Sequence, residues 1–291
     1  MPSLSERYHQ FRRMAFPATV NDVSWRYEAI AARLDRVESL IEKSLRLSAA
    51  PQADVLRALR PLRPMTPTGK AKIRLGDAGD GGYVCLDDFE GLACGFSFGV
   101  NDNDTWDLQM AQRGLRVLQF DHTVARAPSS HPLLVFHKTR IAAAPAPGCA
   151  TLPALIAENT GAGAPDILLK CDIEGDEWDM IDQCPAETLE RCAQILIEFH
   201  DLDQLAQERF RARAERVFAK IDASFFLAHV HANNCTPLCN VANIALPSTV
   251  EMTFVNRARC GARASDELFP TALDAPNNPS LPDIYLGAFR F

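Results

Sequence analysis

The sequence predicts an α/β fold with a doubly wound, mostly parallel sheet, and three observations carry that prediction. Strand-like apolar runs alternate with helical patterns from about residue 72 almost to the end of the chain. One of those runs, Ile167 to Leu169, leads into Lys170 and the acids Asp172, Glu174 and Asp176, after which apolar residues return at helical spacing. Carboxylates therefore stand where a buried strand gives way to a helix, which is where open α/β sheets bind ligands. Late in the chain two strands follow one another without a clear helix between them, so one edge of the sheet is expected to be antiparallel.

Residues 1 to 22 are polar and mixed, without a usable period. From Ser24 to about Leu47 the pattern is helical, with Ile30, Leu34, Val37 and Ile41 spaced 4, 3, 4. This is too short a seam to require a coiled coil, since Ser44 breaks it; the helix either packs on its own domain or pairs two chains as a homodimer. Ala49 to Thr68, with Pro51, Pro61, Pro64 and Pro67, reads as a linker. Residues 1–68 are thus expected to form a helical extension with a Pro-rich linker, and 69–291 the main domain. There, Lys72 to Leu75 and Tyr83 to Leu86 flank the glycine turn GDAGDGG as a hairpin. Strands are expected at Gly95 to Val100, Arg116 to Phe120, Leu133 to Lys138, Ile167 to Leu169 and Ile195 to Phe199, with helices at Trp106 to Arg113 and Leu152 to Asn159. A long amphipathic helix follows, burying Leu205, Phe210, Ala214, Val217, Phe218 and Ile221, and then strands at Phe225 to Val230 and Glu251 to Val255.

Composition narrows the function. The 291 residues carry a formal charge of −7, which argues against a nucleic-acid backbone as partner. The local arginines of Phe210 to Arg216 read as a solvated helix face. Nine cysteines without a repeating spacing fit a reducing compartment, and no run approaches the roughly 20 apolar residues of a membrane span, so a cytoplasmic protein is expected.

The chemistry is expected at the strand ends. FSFGVNDND, Phe96 to Asp104, is a strand and turn entering a helix, the place where doubly wound folds hold the polar part of a nucleotide-like cofactor. It lacks G-x-G-x-x-G, and Asp102, Asp104 and Asp107 make it a poor pyrophosphate cradle and a better partner for a cationic ligand. The next strand ends in Asp121, suitably placed to accept hydrogen bonds from a ribose diol. Together these features suit S-adenosylmethionine, which has a ribose, an ammonium and a sulfonium but no phosphate, although α/β strands also end in Asp without such a role. Farther along, the strand ends supply Asp172, Glu174, Glu198, His200 and Asp201, then His229, His231, Asn233 and Asn234. Strands about 4.8 Å apart let such groups converge on one hydroxyl, with His200 or His231 as candidate general base and His229 a weaker one. Asp172, His200 and Asp201 also form a workable set for a divalent cation. His229, His231, Cys235 and Cys239 match no common zinc spacing. Trp106 and Trp178 are expected to serve core packing.

LKCDIEGDEWDMI resembles the K-x-D-x-E-G-x-E signature of the FkbM-like S-adenosylmethionine-dependent methyltransferases, at Lys170, Asp172, Glu174, Gly175 and Glu177. Other segments resemble the same family in the same order: GDGGYV from Gly79, FSFGVNDNDTWDLQMA from Phe96, FDHT from Phe120, IEFHDL from Ile197, HVHANN from His229 and DAPNNPSLPDI from Asp274. The resemblance covers Ile73 to Ile284. It implies a class I methyltransferase fold with a seven-stranded sheet, methylating a hydroxyl of a sugar, glycan or related natural product. It also implies that Gly99, Asn101 and Asp102 line the methionine part of the cofactor, and that Asp121, with His122 beside it, meets the ribose. Gly81, Gly82 and Tyr83 would close over the cofactor carboxylate, and Asp172 and Glu174 would border the transferred methyl. The turn has fewer glycines than many methyltransferases. Two other readings stand beside this one: a dinucleotide enzyme of related fold, and a non-catalytic module attached through the early helix.

Overall fold

A computed structural model describes residues 30–39, 51–161 and 167–291. The expectations for residues 1 to 22 and for most of the Ser24 to Leu47 helix lie outside the described residues. Helix α1 covers 30–39 and carries Ile30, Leu34 and Val37 exposed on its surface.

The Pro-rich stretch is not a linker. It contains helix α2 (Gln52–Leu59), whose Val55, Ala58 and Leu59 are buried in the main core, and strand β1 (Met65–Pro67). Prolines read as breakers because they cannot continue a helix, yet Pro51 sits at the N-cap, where that restriction costs nothing. Arg60 to Leu62 then turn as a short 3-10 helix.

Next come β2 (Lys72–Leu75) and β3 (Tyr83–Leu86), paired antiparallel across the glycine turn as expected. The chain continues through β4 (Cys94–Phe98), α3 (Thr105–Gln112), β5 (Val117–Phe120), β6 (Leu134–His137), the short strands β7 (Arg140–Ile141) and β8 (Cys149–Ala150), and α4 (Leu152–Asn159). After these follow β9 (Ile167–Cys171), α5 (Glu177–Gln183), α6 (Ala186–Leu189), β10 (Cys192–Phe199), α7 (Glu208–Ser224), β11 (Phe225–Ala232), the hairpin β12 (Leu238–Val241) and β13 (Ile244–Pro247), β14 (Val250–Asn256), and β15 (Ala262–Ala264), which pairs with β1.

Seven strands form the central sheet in the order β11-β14-β10-β9-β4-β5-β6. All neighbours are parallel except β14, which runs antiparallel to both β10 and β11. The doubly wound, mostly parallel seven-stranded sheet is therefore present, with one correction: the antiparallel strand lies one place in from the edge, because β14 inserts between β10 and β11. The β12–β13 hairpin makes this reversal without a helix. Strands β9 and β10 are buried along their whole length, as a sheet covered on both faces requires.

The chain winds outward from β4 to β6 and then returns to β9, on the other side of β4. That reversal opens a crevice at the carboxyl ends of β4 and β9. Below it, Trp178 packs on Phe199, Phe210 and Phe218 with ring centroids 4.5 to 5.4 Å apart, and Trp106 is equally buried. Helix α7 buries Phe210, Ala214, Val217, Phe218 and Ile221 of the expected stripe, whereas Leu205 is buried in the 3-10 turn Leu202–Ala206 before it. Arg213 and Arg216 reach Asp179 and Asp182 at the surface, whereas Arg211 turns inward to the Leu205 carbonyl. Among the described residues, no helix is long and apolar enough to cross a membrane.

Candidate active site

At the carboxyl end of β4, Gly99 adopts φ +76°, and a Cβ there would fall 1.6 Å from the Asp172 carbonyl oxygen. Only glycine lets the first turn pass this close to the end of β9, and the Asp172 amide donates to the Phe98 carbonyl to lock the two ends together. Lys170 donates from Nζ to the Gly99 carbonyl at 2.8 Å and lies over the Tyr83 ring. The lysine of the motif is thus a brace for the turn.

Asp121, at the end of β5, organises the other side. One carboxylate oxygen accepts from the amides of Val100 and Asn101 at 2.9 and 2.8 Å, and the other from the amide and hydroxyl of Thr123. Burial alone would raise its pKa, but these hydrogen bonds outweigh burial and hold it at about 2. Asp121 therefore stays ionised and shapes the turn as well as lining the crevice.

A cavity of about 470 Å³ occupies the crevice. Gly81, Gly99, Asn101, Asp102, Asp121, His122, Asp172 and Glu174 all line it, so most of the predicted site residues converge. Gly82 and Tyr83 stand outside its wall. A Cβ on Gly82 would meet the Asp77 carbonyl at 2.1 Å, so that glycine serves the turn itself, and Tyr83 instead donates its hydroxyl to Asp172 at 3.3 Å. The acidic turn is also corrected in part. Asp104 and Asp107 are buried against the Gln119 amide, leaving Asp102 as the turn's acid on the cavity. Asp176 lines the cavity at the N-cap of α5 and pairs with Arg140 at 2.5 Å. The cavity's two cations, Lys170 and Arg140, are both engaged with protein groups.

His200 sits beside this wall. Its Nε2 lies 3.5 Å from Glu174 and Glu198 and 3.9 Å from Asp172, while Nδ1 lies 3.2 Å from Glu177. Glu177 is fully buried; its Oε1 also accepts the His200 amide at 2.8 Å, and its Oε2 accepts the Gly175 amide at 2.7 Å. Burial would lower the His200 pKa, but the Glu177 hydrogen bond and the surrounding carboxylates raise it to about 9. The predicted base therefore carries its proton at neutral pH. The Asp172 carboxyl is also shifted upward, by burial, which Lys170 and His200 only partly offset. Glu198 is pushed up strongly, by burial first and then by Asp172 and Glu251. The expected cation set is altered as well, since one ligand atom each from Asp172, Glu198 and His200 lies within 4.8 Å of the others and Asp201 is not in the group. Asp201 takes a left-handed turn at φ 63°, which carries it off the strand.

His231 is not at the cavity. It is buried between Glu251 and Asp283, each 3.1 Å away, and its pKa is raised to about 9 against the pull of burial. His229 pairs with Asp274 at 2.7 Å. Asn234 donates to the carbonyls of Asn278, Leu281 and Pro282 and accepts from the Asn278 amide. The HVHANN segment thus clamps the DAPNNPSLPD tail. Neither of the cation-compatible groups among the described residues contains a cysteine, so the zinc pattern is not assembled.

No family model matches the chain, and no curated protein matches it. Among solved structures, it is similar to a variant of a 16S rRNA (adenine(1408)-N(1))-methyltransferase from Catenulisporales acidiphilia. That likeness has 13% identity and a TM-score of 0.29, over 66% of this chain and 100% of the other.

Proposed function

We propose that the chain is an S-adenosylmethionine-dependent methyltransferase that methylates a hydroxyl oxygen of a sugar or similar polyol. The observation that carries this reading is the lining of the crevice. Asp80, Asp102, Asp121, Asp172, Glu174 and Asp176 all face one cavity at the point where the sheet reverses direction. Such a wall repels a pyrophosphate and suits a ligand carrying an ammonium, a sulfonium and a ribose diol.

When bound, S-adenosylmethionine supplies an electrophilic methyl group. The chain's own work is alignment and proton removal. Asp121 holds the Val100 and Asn101 amides so that the turn keeps its shape. Asp172 is the base: its carboxyl borders the cavity, and burial raises its pKa toward the range where it can take a hydroxyl proton. Tyr83 fixes one oxygen of that carboxylate. His200, protonated and anchored by Glu177, steadies Asp172 and Glu174 by charge and does not act as the base. The cluster of carboxylates at the strand ends offers many acceptors to a hydroxyl-rich molecule, and the net charge of −7 favours such an acceptor over a nucleic acid.

Isothermal titration with S-adenosylhomocysteine and with NAD tests the cofactor. Clear binding of the first and none of the second is expected; the reverse would replace this reading with the dinucleotide one. Cofactor binding without turnover on any hydroxyl acceptor would favour the non-catalytic module.

A further inference from the structure

Helix α1 shows its apolar stripe to solvent. Ile30, Leu34 and Val37 are 52%, 46% and 50% exposed, while the residues the helix covers best are Ala31, Asp35 and Glu38. Among the described residues the stripe is therefore left open, and none of the three belongs to a core cluster. Three large apolar side chains in line on one helix face form a continuous surface, unlike apolar residues scattered singly over a protein.

The width of the stripe and its charges say what fits it. A helix that packs on a globular domain carries a broad apolar face, whereas a stripe alternating strictly by three and four residues is the narrow seam of a coiled coil. Within α1 no other large apolar residue widens the stripe. In the sequence the same alternation runs through Val23, Tyr27, Ile30, Leu34, Val37 and Ile41. Its phase makes Leu34 an a position and Ile30 and Val37 d positions, which puts the exposed Arg33 at g and Glu38 at the following e. Between parallel helices in register, a g residue of one chain meets the next e residue of its neighbour, so Arg33 of one copy meets Glu38 of another. Antiparallel helices would set g against g and e against e, bringing like charges together. The chain is complementary to itself in the parallel sense. Leucine at a between β-branched residues at d further favours three or four strands over two.

We propose that the Ile30, Leu34 and Val37 face of α1 docks on the same face of further copies of this chain, in a parallel bundle of about three or four helices with Arg33 of each against Glu38 of the next. The occupant of the open stripe is thus another copy, and the apolar surface is removed from water by self-assembly. This association does not depend on the methyl-transfer reading.

Size-exclusion chromatography with multi-angle light scattering on the full-length chain tests this. A mass of about three or four chains is expected, falling to that of a single chain in Leu34→Asp, which would bury a charge in the seam. Arg33→Glu sets acid against acid and should raise the concentration needed for half-assembly about tenfold, while Arg33→Glu combined with Glu38→Arg should return it to within about threefold of the parent. Far-ultraviolet circular dichroism of Leu34→Asp should show the fold intact. A parent mass of one or two chains overturns the proposal, as does an assembly that survives Leu34→Asp or is not restored by the double reversal. Loss of the folded domain in Leu34→Asp would assign the stripe to packing within its own chain and overturn it too.

Discussion

At the scale of single residues, the account turns on Asp172 and Asp121, which titrate in opposite directions for stated reasons. Asp172→Asn keeps an acceptor for the Tyr83 hydroxyl but cannot take a proton. It should therefore lower turnover on a hydroxyl acceptor by about 10² or more while leaving S-adenosylhomocysteine affinity within a few-fold; an unchanged kcat would refute its role as base. Asp121 has a folded pKa of about 2, below the ordinary 3.8. Its stabilisation is complete above that ordinary value and disappears as pH falls toward 2, at most about 2 kcal/mol in all. Urea midpoints of the parent chain and of Asp121→Asn should differ at pH 5 and converge near pH 2; a gap that persists in acid would show that ionised Asp121 is not what holds the turn. The residue types and positions along the strands already marked both acids. Sequence could not reveal that His200 is protonated, because that follows from Glu177, which is three-dimensionally adjacent but 23 residues earlier in the chain.

At the scale of elements, the strand ends and the tail form one unit. His229, His231 and Asn234 project from β11 and its following turn onto residues 274 to 283. Asn234→Ala removes the side chain that gathers three tail carbonyls. It should speed limited proteolysis between residues 270 and 285 severalfold while the central sheet keeps its far-ultraviolet signature; unchanged cleavage would mean that the clamp does not hold the tail. The periodicity of α7 and the apolar runs of β9 and β10 were legible because burial on one face or both leaves a pattern in the chain. The packing of α2 was not, since its short amphipathic stripe is flanked by the same prolines that mark a linker. Nor was the tail's docking, which depends on polar pairs 44 to 52 residues apart that leave no period.

At the scale of the whole molecule, the order of the sheet places everything. Alternating strands and helices announced a doubly wound fold, and the reversal between β4 and β9 brings the Gly99 turn against Asp172. The position of β14 was hidden from the sequence because strand order depends on long-range pairing. Yet that insertion is what sets Glu251 opposite Glu198. On the proposed reading the cavity then has a cofactor side, at Gly99, Asn101 and Asp121, and an acceptor side, at Asp172 and Glu174.

The central claim is that these two sides belong to one methyl-transfer site. A crystal structure of the protein soaked with S-adenosylhomocysteine tests it most directly. The ribose diol is expected at Asp121 and the sulfur facing Asp172. Density elsewhere, or a ligand whose sulfur points away from Asp172, would contradict it.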